Sequence, residues 1–213
     1  MRKTFKDNLF IILGITLPLF LILIVLVIRS FNSWAVQDPA YIIAYTSNHE
    51  PDIFHSHYDQ DMGTLKLVYA REKDKSYFRA SDKFVLNLFH AAKPIELKKN
   101  QINMSNWDID YNRLKDGRHI KLVFRPKDYK ENQYTTDLEF LKNYRFHRNR
   151  KAPDGYVFRR REHDDHDAFT DIFSSNYIDS DYLIQKQTRK IPVPNDNYRD
   201  VDFIAWLERG SQP

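Results

Sequence analysis

The sequence predicts an α+β protein: a single N-terminal transmembrane helix followed by a mainly antiparallel β-sheet domain with a few short helices. Three observations predict it. Twenty consecutive uncharged, mostly large apolar residues run from Leu9 to Ile28. The rest of the chain is polar yet rich in aromatics, with 13 tyrosines and 15 phenylalanines against five glycines, the composition of a folded domain. Several segments between Tyr41 and Pro126 alternate apolar and polar residues, the period of a half-buried strand.

The apolar run is read first. At about 1.5 Å per residue, twenty helical residues span about 30 Å, the hydrocarbon thickness of a bilayer. A helix bonds all its backbone groups internally, and Gly14 and Pro18 are tolerated in such a segment. A cleaved signal peptide is the rival reading, but its apolar region is shorter and ends at a small-residue cleavage site. Arg2, Lys3 and Lys6 precede the run, whereas Arg29 stands alone before Asp38, Glu50 and Asp52. The positive-inside rule therefore places the N-terminus in the cytoplasm. Leu9 and Ile28 bound the expected anchor, and Trp34 suits the headgroup belt. The expected organisation is a cytoplasmic tail 1–8, a transmembrane helix 9–28, a juxtamembrane linker 29–40 and an extracytoplasmic α+β domain 41–213. That layout corresponds to a signal-anchored, single-pass protein of the bacterial inner membrane with a periplasmic domain. It recurs among accessory subunits of envelope machines, an analogy of architecture.

Within the domain, Tyr41 to Thr46 reads as a strand and Ser47 to Met62 as a polar loop. Thr64 to Arg71 alternates and reads as a strand. Ser81 to Ala92 reads as a helix, capped by Ser81 and ended before Pro94, although its residues also suit a buried strand. Trp107, Ile109 and Tyr111 alternate with Asp108, Asp110 and Asn112. Asp116-Gly117 then supplies a turn, and Ile120, Leu122 and Phe124 alternate on the return, a hairpin signature. Thr136 with Glu139 resembles a capping box before Leu138, Leu141 and Tyr144 at near-helical spacing. Asp200 to Gly210 reads as a C-terminal helix.

The chain contains no cysteine, which removes disulfides, thiolate catalysis, Cys-ligated zinc and a lipoprotein anchor. Its formal charge of +4 does not by itself imply nucleic acid. No Gly-x-Ser-x-Gly elbow, phosphate loop or dinucleotide fingerprint is present. Two ligand-rich segments stand out. In His55-Ser56-His57-Tyr58-Asp59 an extended chain sets His55, His57 and Asp59 on one face. In Glu162 to Asp167, His163 and His166 share a helix face. Imidazole and carboxylate suit a divalent metal that would lower the pKa of bound water for hydrolysis. Each segment also suits an ordinary solvated loop, the favoured reading.

The third feature is a basic stretch: Lys142, Arg145, Arg148, Arg150, Arg159, Arg160 and Arg161, interleaved with Tyr144, Phe146, Tyr156 and Phe158. It suits a partner protein, anionic lipid or an envelope polymer. Nucleic acid is the disfavoured partner. With no strong catalytic constellation, the expected function is a non-enzymatic interaction or assembly module that needs no cofactor. Its expected partners are the membrane and another envelope protein, met through the basic-aromatic segment Lys142 to Arg161 and an exposed sheet edge. A membrane-tethered metal-dependent hydrolase built on the two His/Asp segments is the alternative.

Overall fold

The computed structural model describes residues 14–28, 36–47, 54–59, 64–70, 83–127, 133–161, 181–194 and 201–210. The chain divides into two units, residues 1–37 with 186–189, and residues 38–185 with 190–213.

The first unit contains helix α1, residues 14–28. Its fifteen described residues extend about 22 Å at 1.5 Å per residue, short of the roughly 30 Å needed to cross a bilayer. Among the described residues no helix is long and apolar enough to cross a membrane. The expectations of a transmembrane signal-anchor and of single-pass inner-membrane localisation with a periplasmic domain are therefore corrected. Ile28 is the last described residue of α1 and is exposed; Leu9 and Trp34 lie outside the described residues. In the same unit, an Arg189 guanidinium N–H donates to the Val36 carbonyl at 2.8 Å.

Among the described residues there are twelve strands, all in the second unit except Lys186 of β10 and Arg189 of β11: β1 Ile42–Thr46, β2 Phe54–Asp59, β3 Thr64–Ala70, β4 Phe84–Phe89, β5 Trp107–Arg113, β6 His119–Pro126, β7 Gln133–Asp137, β8 Tyr144–His147, β9 Val157–Arg160, β10 Tyr182–Lys186, β11 Arg189–Pro192 and β12 Asp202–Arg209. A six-stranded sheet has the order β5-β6-β4-β1-β12-β8, and two three-stranded sheets have the orders β2-β3-β7 and β11-β10-β9. The described pairings are antiparallel.

The six-stranded sheet is covered on both sides. One face carries Ala44, Leu86, Leu88, Leu122, Phe124, Ala205 and Leu207, packed with Leu65, Leu67 and Tyr69 of β3 and with Leu138 and Leu141. The other carries Ile43, Tyr45, Trp206 and Phe203; the Phe203 ring stacks on Phe158 of β9 at 5.4 Å. Between the sheets, Trp107 Nε1 donates to the Thr136 hydroxyl at 2.9 Å. Thr136 is thus a strand residue and hydrogen-bond acceptor, not a helix cap.

Three expected helices are corrected, the first of them because of double coverage. Every residue of β4 is buried, so Ser81 to Ala92 shows no strand alternation, and a run apolar on both faces mimics a helix. In β12 a register shift falls between Ala44 and Tyr45: Ala44 pairs with Ala205, but Tyr45 pairs with Phe203. Ile204 becomes the extra residue of a bulge, so Val201, Ile204 and Ala205 acquire a helical spacing inside a strand. The Thr136 to Tyr144 segment holds only a single 3₁₀ turn, Glu139–Leu141, between β7 and β8. The expected loop Ser47 to Met62 contains β2, paired with β3 along six residues from Phe54 to Asp59.

The hairpin of β5 and β6 stands as the alternation predicts, with seven consecutive pairs from Trp107–Pro126 to Arg113–Ile120. Its turn needs Gly117, at φ +69°, where an added Cβ would lie 2.7 Å from an Arg113 guanidinium nitrogen. Asp116 Oδ1 accepts from the Arg118 N–H at 3.0 Å, and this bond, with the Arg118 guanidinium, holds the Asp116 carboxyl below its usual pKa. Replacing Gly117 with Ala forces a side chain into the left-handed region. Chemical denaturation should show a loss of about 1–2 kcal/mol, and an unchanged midpoint would contradict this turn geometry.

Candidate functional site

Three places on the second unit gather polar chemistry, and each follows from the sheet. The first lies inside it. β1 and β4 set Tyr45 beside Asn87, and β6 brings His119 across from Phe89. Tyr45, Asn87 and His119 are all buried, with Ser47. His119 Nε2 is 3.1 Å from Asn87 Oδ1 and 3.5 Å from the Tyr45 hydroxyl oxygen. Asn87 Nδ2 donates to Ser47 Oγ at 3.3 Å, and the Tyr45 hydroxyl donates to the Pro194 carbonyl. A carbonyl oxygen only accepts, so the His119 proton sits on Nε2. The chain of bonds satisfies each group in turn, as burial requires. Its serine is hydrogen-bonded to an amide rather than to an imidazole, so the set lacks the nucleophile–base contact of acyl transfer. The arrangement ties β1, β4 and β6 to the Pro194 segment.

Next to it, His90 is buried and its Nδ1 accepts from the backbone N–H groups of Ala92 at 3.1 Å and Lys93 at 3.0 Å. Burial, and then the Lys93 charge, lower its pKa. The imidazole serves as an acceptor that closes the turn after β4, a task that requires the neutral form.

The second place is a cleft of about 370 Å³ lined by Glu96, Gln101, Glu139, Lys142, Tyr144 and Arg209, among others. Arg209 and Glu96 form an ion pair, and burial raises the Tyr144 pKa. Two carboxylates face two cations here, so the cleft presents no net charge to a ligand.

The third place is the free side of β5. The bonds Lys127 N–H to Asn106 O and Leu114 N–H to His119 O, both 3.0 Å, fix the phase of the β5–β6 ladder. Asp108, Asp110 and Asn112 therefore turn their backbone groups toward β6, and Ile109, Tyr111 and Arg113 turn theirs outward. The Trp107 N–H, also outward, bonds to the Met104 carbonyl. Among the described residues nothing pairs with the outward groups of Ile109, Tyr111 and Arg113. At seven residues β5 is the longest strand at an end of any of the three sheets. It contains no proline, glycine or bulge. Asp108 and Asp110 stand exposed on one face, while Ile109 and Tyr111 are half-buried on the other. The Tyr111 hydroxyl donates to the Leu97 carbonyl at 2.7 Å, and an Arg113 N–H donates to the Ile95 carbonyl at 3.1 Å, which braces the strand from behind. Leu114, exposed, follows directly.

The residues singled out from sequence fall as follows. His55 and His57 occupy β2, opposite Val68 and Lys66. Asp59 forms an ion pair with Lys66 at 2.8 Å, which raises the lysine pKa. His163 and His166 lie outside the described residues. Among the described residues no group of three or more His, Asp or Glu is placed to hold a metal. The basic stretch is divided between two sheets. Lys142 and Arg145 belong to the β8 side, where Arg145 pairs across from Glu208, with Arg148 and Arg150 exposed beyond it. Arg159 on β9 donates to Gln185 at 2.8 Å; Arg160 is exposed, and the Arg161 N–H donates to the Asp181 carbonyl. Tyr156 and Phe158, read as interleaved aromatics, are core residues. Sequence reasoning missed the Tyr45–Asn87–His119 set, although Asn87 is the one polar residue of the β4 run Phe-Val-Leu-Asn-Leu-Phe.

Two outcomes follow from these groups. Asn87→Ala leaves the buried His119 Nε2–H short of its nearest acceptor, and urea denaturation should show a loss of about 1–3 kcal/mol; a neutral result would contradict the bonding assigned here. Because the folded His90 pKa lies below the ordinary value of about 6.5, the unfolded chain binds the extra proton first. Stability from this group is complete above the unfolded pKa and declines as pH falls toward the folded value. His90→Asn, which keeps an acceptor and does not titrate, should flatten that part of the stability–pH curve. Superimposable slopes for the two proteins below pH about 6.5 would refute it.

No protein-family model, curated protein sequence or solved structure matches the chain.

Proposed function

We propose that the second unit is a non-enzymatic binding module that takes up an extended segment of a partner protein as an added strand along β5. The observation that carries this reading is the free side of β5: an uninterrupted seven-residue end strand with outward backbone groups at Ile109, Tyr111 and Arg113. Natural sheets usually blunt such an edge with proline, a bulge, a short strand or charged side chains. β5 has only the last of these, in Asp108, Asp110 and Arg113, whereas β8 at the opposite end of the sheet is only four residues long. In strand addition, main-chain hydrogen bonds supply affinity and alternate side chains supply selectivity. The braces from Tyr111 to Leu97 and from Arg113 to Ile95 hold the edge in shape before a partner arrives, which lowers the ordering entropy of association.

The reading makes a residue-level prediction for hydrogen exchange. In the free protein the amides of Ile109, Tyr111 and Arg113 should exchange quickly, and those of Asp110 and Asn112 slowly. Peptides selected from a displayed library of extended sequences should slow the first set at least tenfold. Ile109→Pro removes only an outward donor, which an edge strand tolerates, and should abolish that binding while the thermal transition persists. Selected peptides that leave the three amides unprotected would defeat the proposal.

A further inference from the structure

We infer that the strand accepted by β5 is basic, with Lys or Arg at two alternate positions facing Asp108 and Asp110, and that a second copy of this chain is disfavoured there. The inference rests on the reading of β5 as a strand-binding edge. The ladder phase decides which pairs are close. An antiparallel partner would exchange hydrogen bonds with Ile109 and Tyr111, whose side chains lie on the core side. Its intervening residues would then form the non-hydrogen-bonded pairs with Asp108 and Asp110, where Cα atoms approach to about 4.5 Å and side chains are nearest. Opposite charges in such pairs are favourable and like charges directly opposite are unfavourable.

Both carboxylates are accessible to a newcomer. The Asp108 side chain is 70% exposed and 4.0 Å from the Lys127 ammonium. The Asp110 side chain is 56% exposed and shares its charge with Arg125 on the β6 side. The remaining position on this face, Asn112, adds no positive charge. The exposed face of β5 therefore offers two carboxylates at alternate positions, each sharing a cation with the β6 side, and a strand bearing cations at the same spacing complements them from the other side.

The same charges act against self-pairing. In an antiparallel pair of two β5 strands, outward residues must pair with outward residues, so odd positions meet odd and even meet even. The register that overlaps all seven residues sets Asp110 against Asp110. The register one step toward the N-terminus sets Asp108 against Asp110 twice.

The test uses the full chain and three capped peptides, Thr-Thr-Lys-Val-Lys-Thr-Thr and its counterparts with Gln or Glu at the two Lys positions. Binding is measured by fluorescence anisotropy and by exchange at Ile109, Tyr111 and Arg113. The Lys peptide should bind about threefold to tenfold more tightly than the Gln peptide, the range two cross-strand charge pairs would supply, and more tightly still than the Glu peptide. The preference should fade in high salt and in the exposed double variant Asp108→Asn, Asp110→Asn. Equal protection by all three peptides would overturn the charge inference while leaving the edge reading intact. Protection of the same amides by raising protein concentration alone would identify a second copy as the occupant and overturn it as well. Protection by no peptide, together with none from the display library, would remove the edge reading and this inference with it.

Discussion

The structure depends on one constraint: the β1–β4 pair is buried on both faces. Every residue from Ile42 to Thr46 and from Phe84 to Phe89 is buried. A sheet covered on one side only would allow half of these positions to be polar. Here both sides must be apolar, and a layer is needed on each. β3, with Leu138 and Leu141, supplies one; the segments around Phe158, Tyr182 and Pro194 supply the other. The bulge in β12 belongs to the same solution. It turns Phe203 toward Phe158 while Ala205 and Leu207 stay on the β3 side, so one strand serves both interfaces.

A doubly covered sheet leaves little room for polar groups, which gives the few that are there their meaning. Asn87 and His119 are buried amid apolar neighbours, where an unmade hydrogen bond is expensive. Their mutual bond, with Ser47 and the Tyr45–Pro194 contact, is satisfied only when β1, β4 and β6 are in register with the covering segment. A one-residue slip would move Asn87 to the opposite face and leave His119 facing aliphatic carbon. The set thus discriminates between registers that apolar burial alone leaves close in energy. That role explains polar residues at the sheet's centre without a substrate.

Legibility in the sequence followed exposure. The β5–β6 hairpin was readable because β5 is an end strand with one solvated face, so Trp107, Ile109 and Tyr111 alternate cleanly with Asp108, Asp110 and Asn112. β4 was not, because burial on both faces erases the period and leaves a run that suits a helix equally well. β12 misled for a different reason: the bulge at Ile204 inserts one residue and converts period two into an apparent helical spacing. The apolar run Leu9 to Ile28 was legible as a helix, described over residues 14–28, but its reading as a membrane span was not borne out. The site was less legible than the fold. The basic residues from Lys142 to Arg161 are contiguous in sequence yet distributed over two sheets, and two of the aromatics between them are core. Conversely, Tyr45, Asn87 and His119 meet only through strand order, which no local pattern encodes.

Strand order also produces the open edge. The end strands of the six-stranded sheet differ: β8 is short and leads directly into the turn toward β9, whereas β5 is long and unbroken by a bulge. An edge of this kind is normally a hazard, because any extended chain can pair with it. The charges on β5 change that hazard into a choice. Two carboxylates at alternate positions penalise another copy of β5 in its fullest registers. They leave the backbone groups of Ile109, Tyr111 and Arg113 accessible to a strand of opposite sign. Had the edge required only protection, a lysine, a proline or a bulge would have closed it to all partners alike. Acidic residues combined with an intact hydrogen-bonding edge would exclude some strands and admit others, and that selectivity is what the proposed binding surface requires.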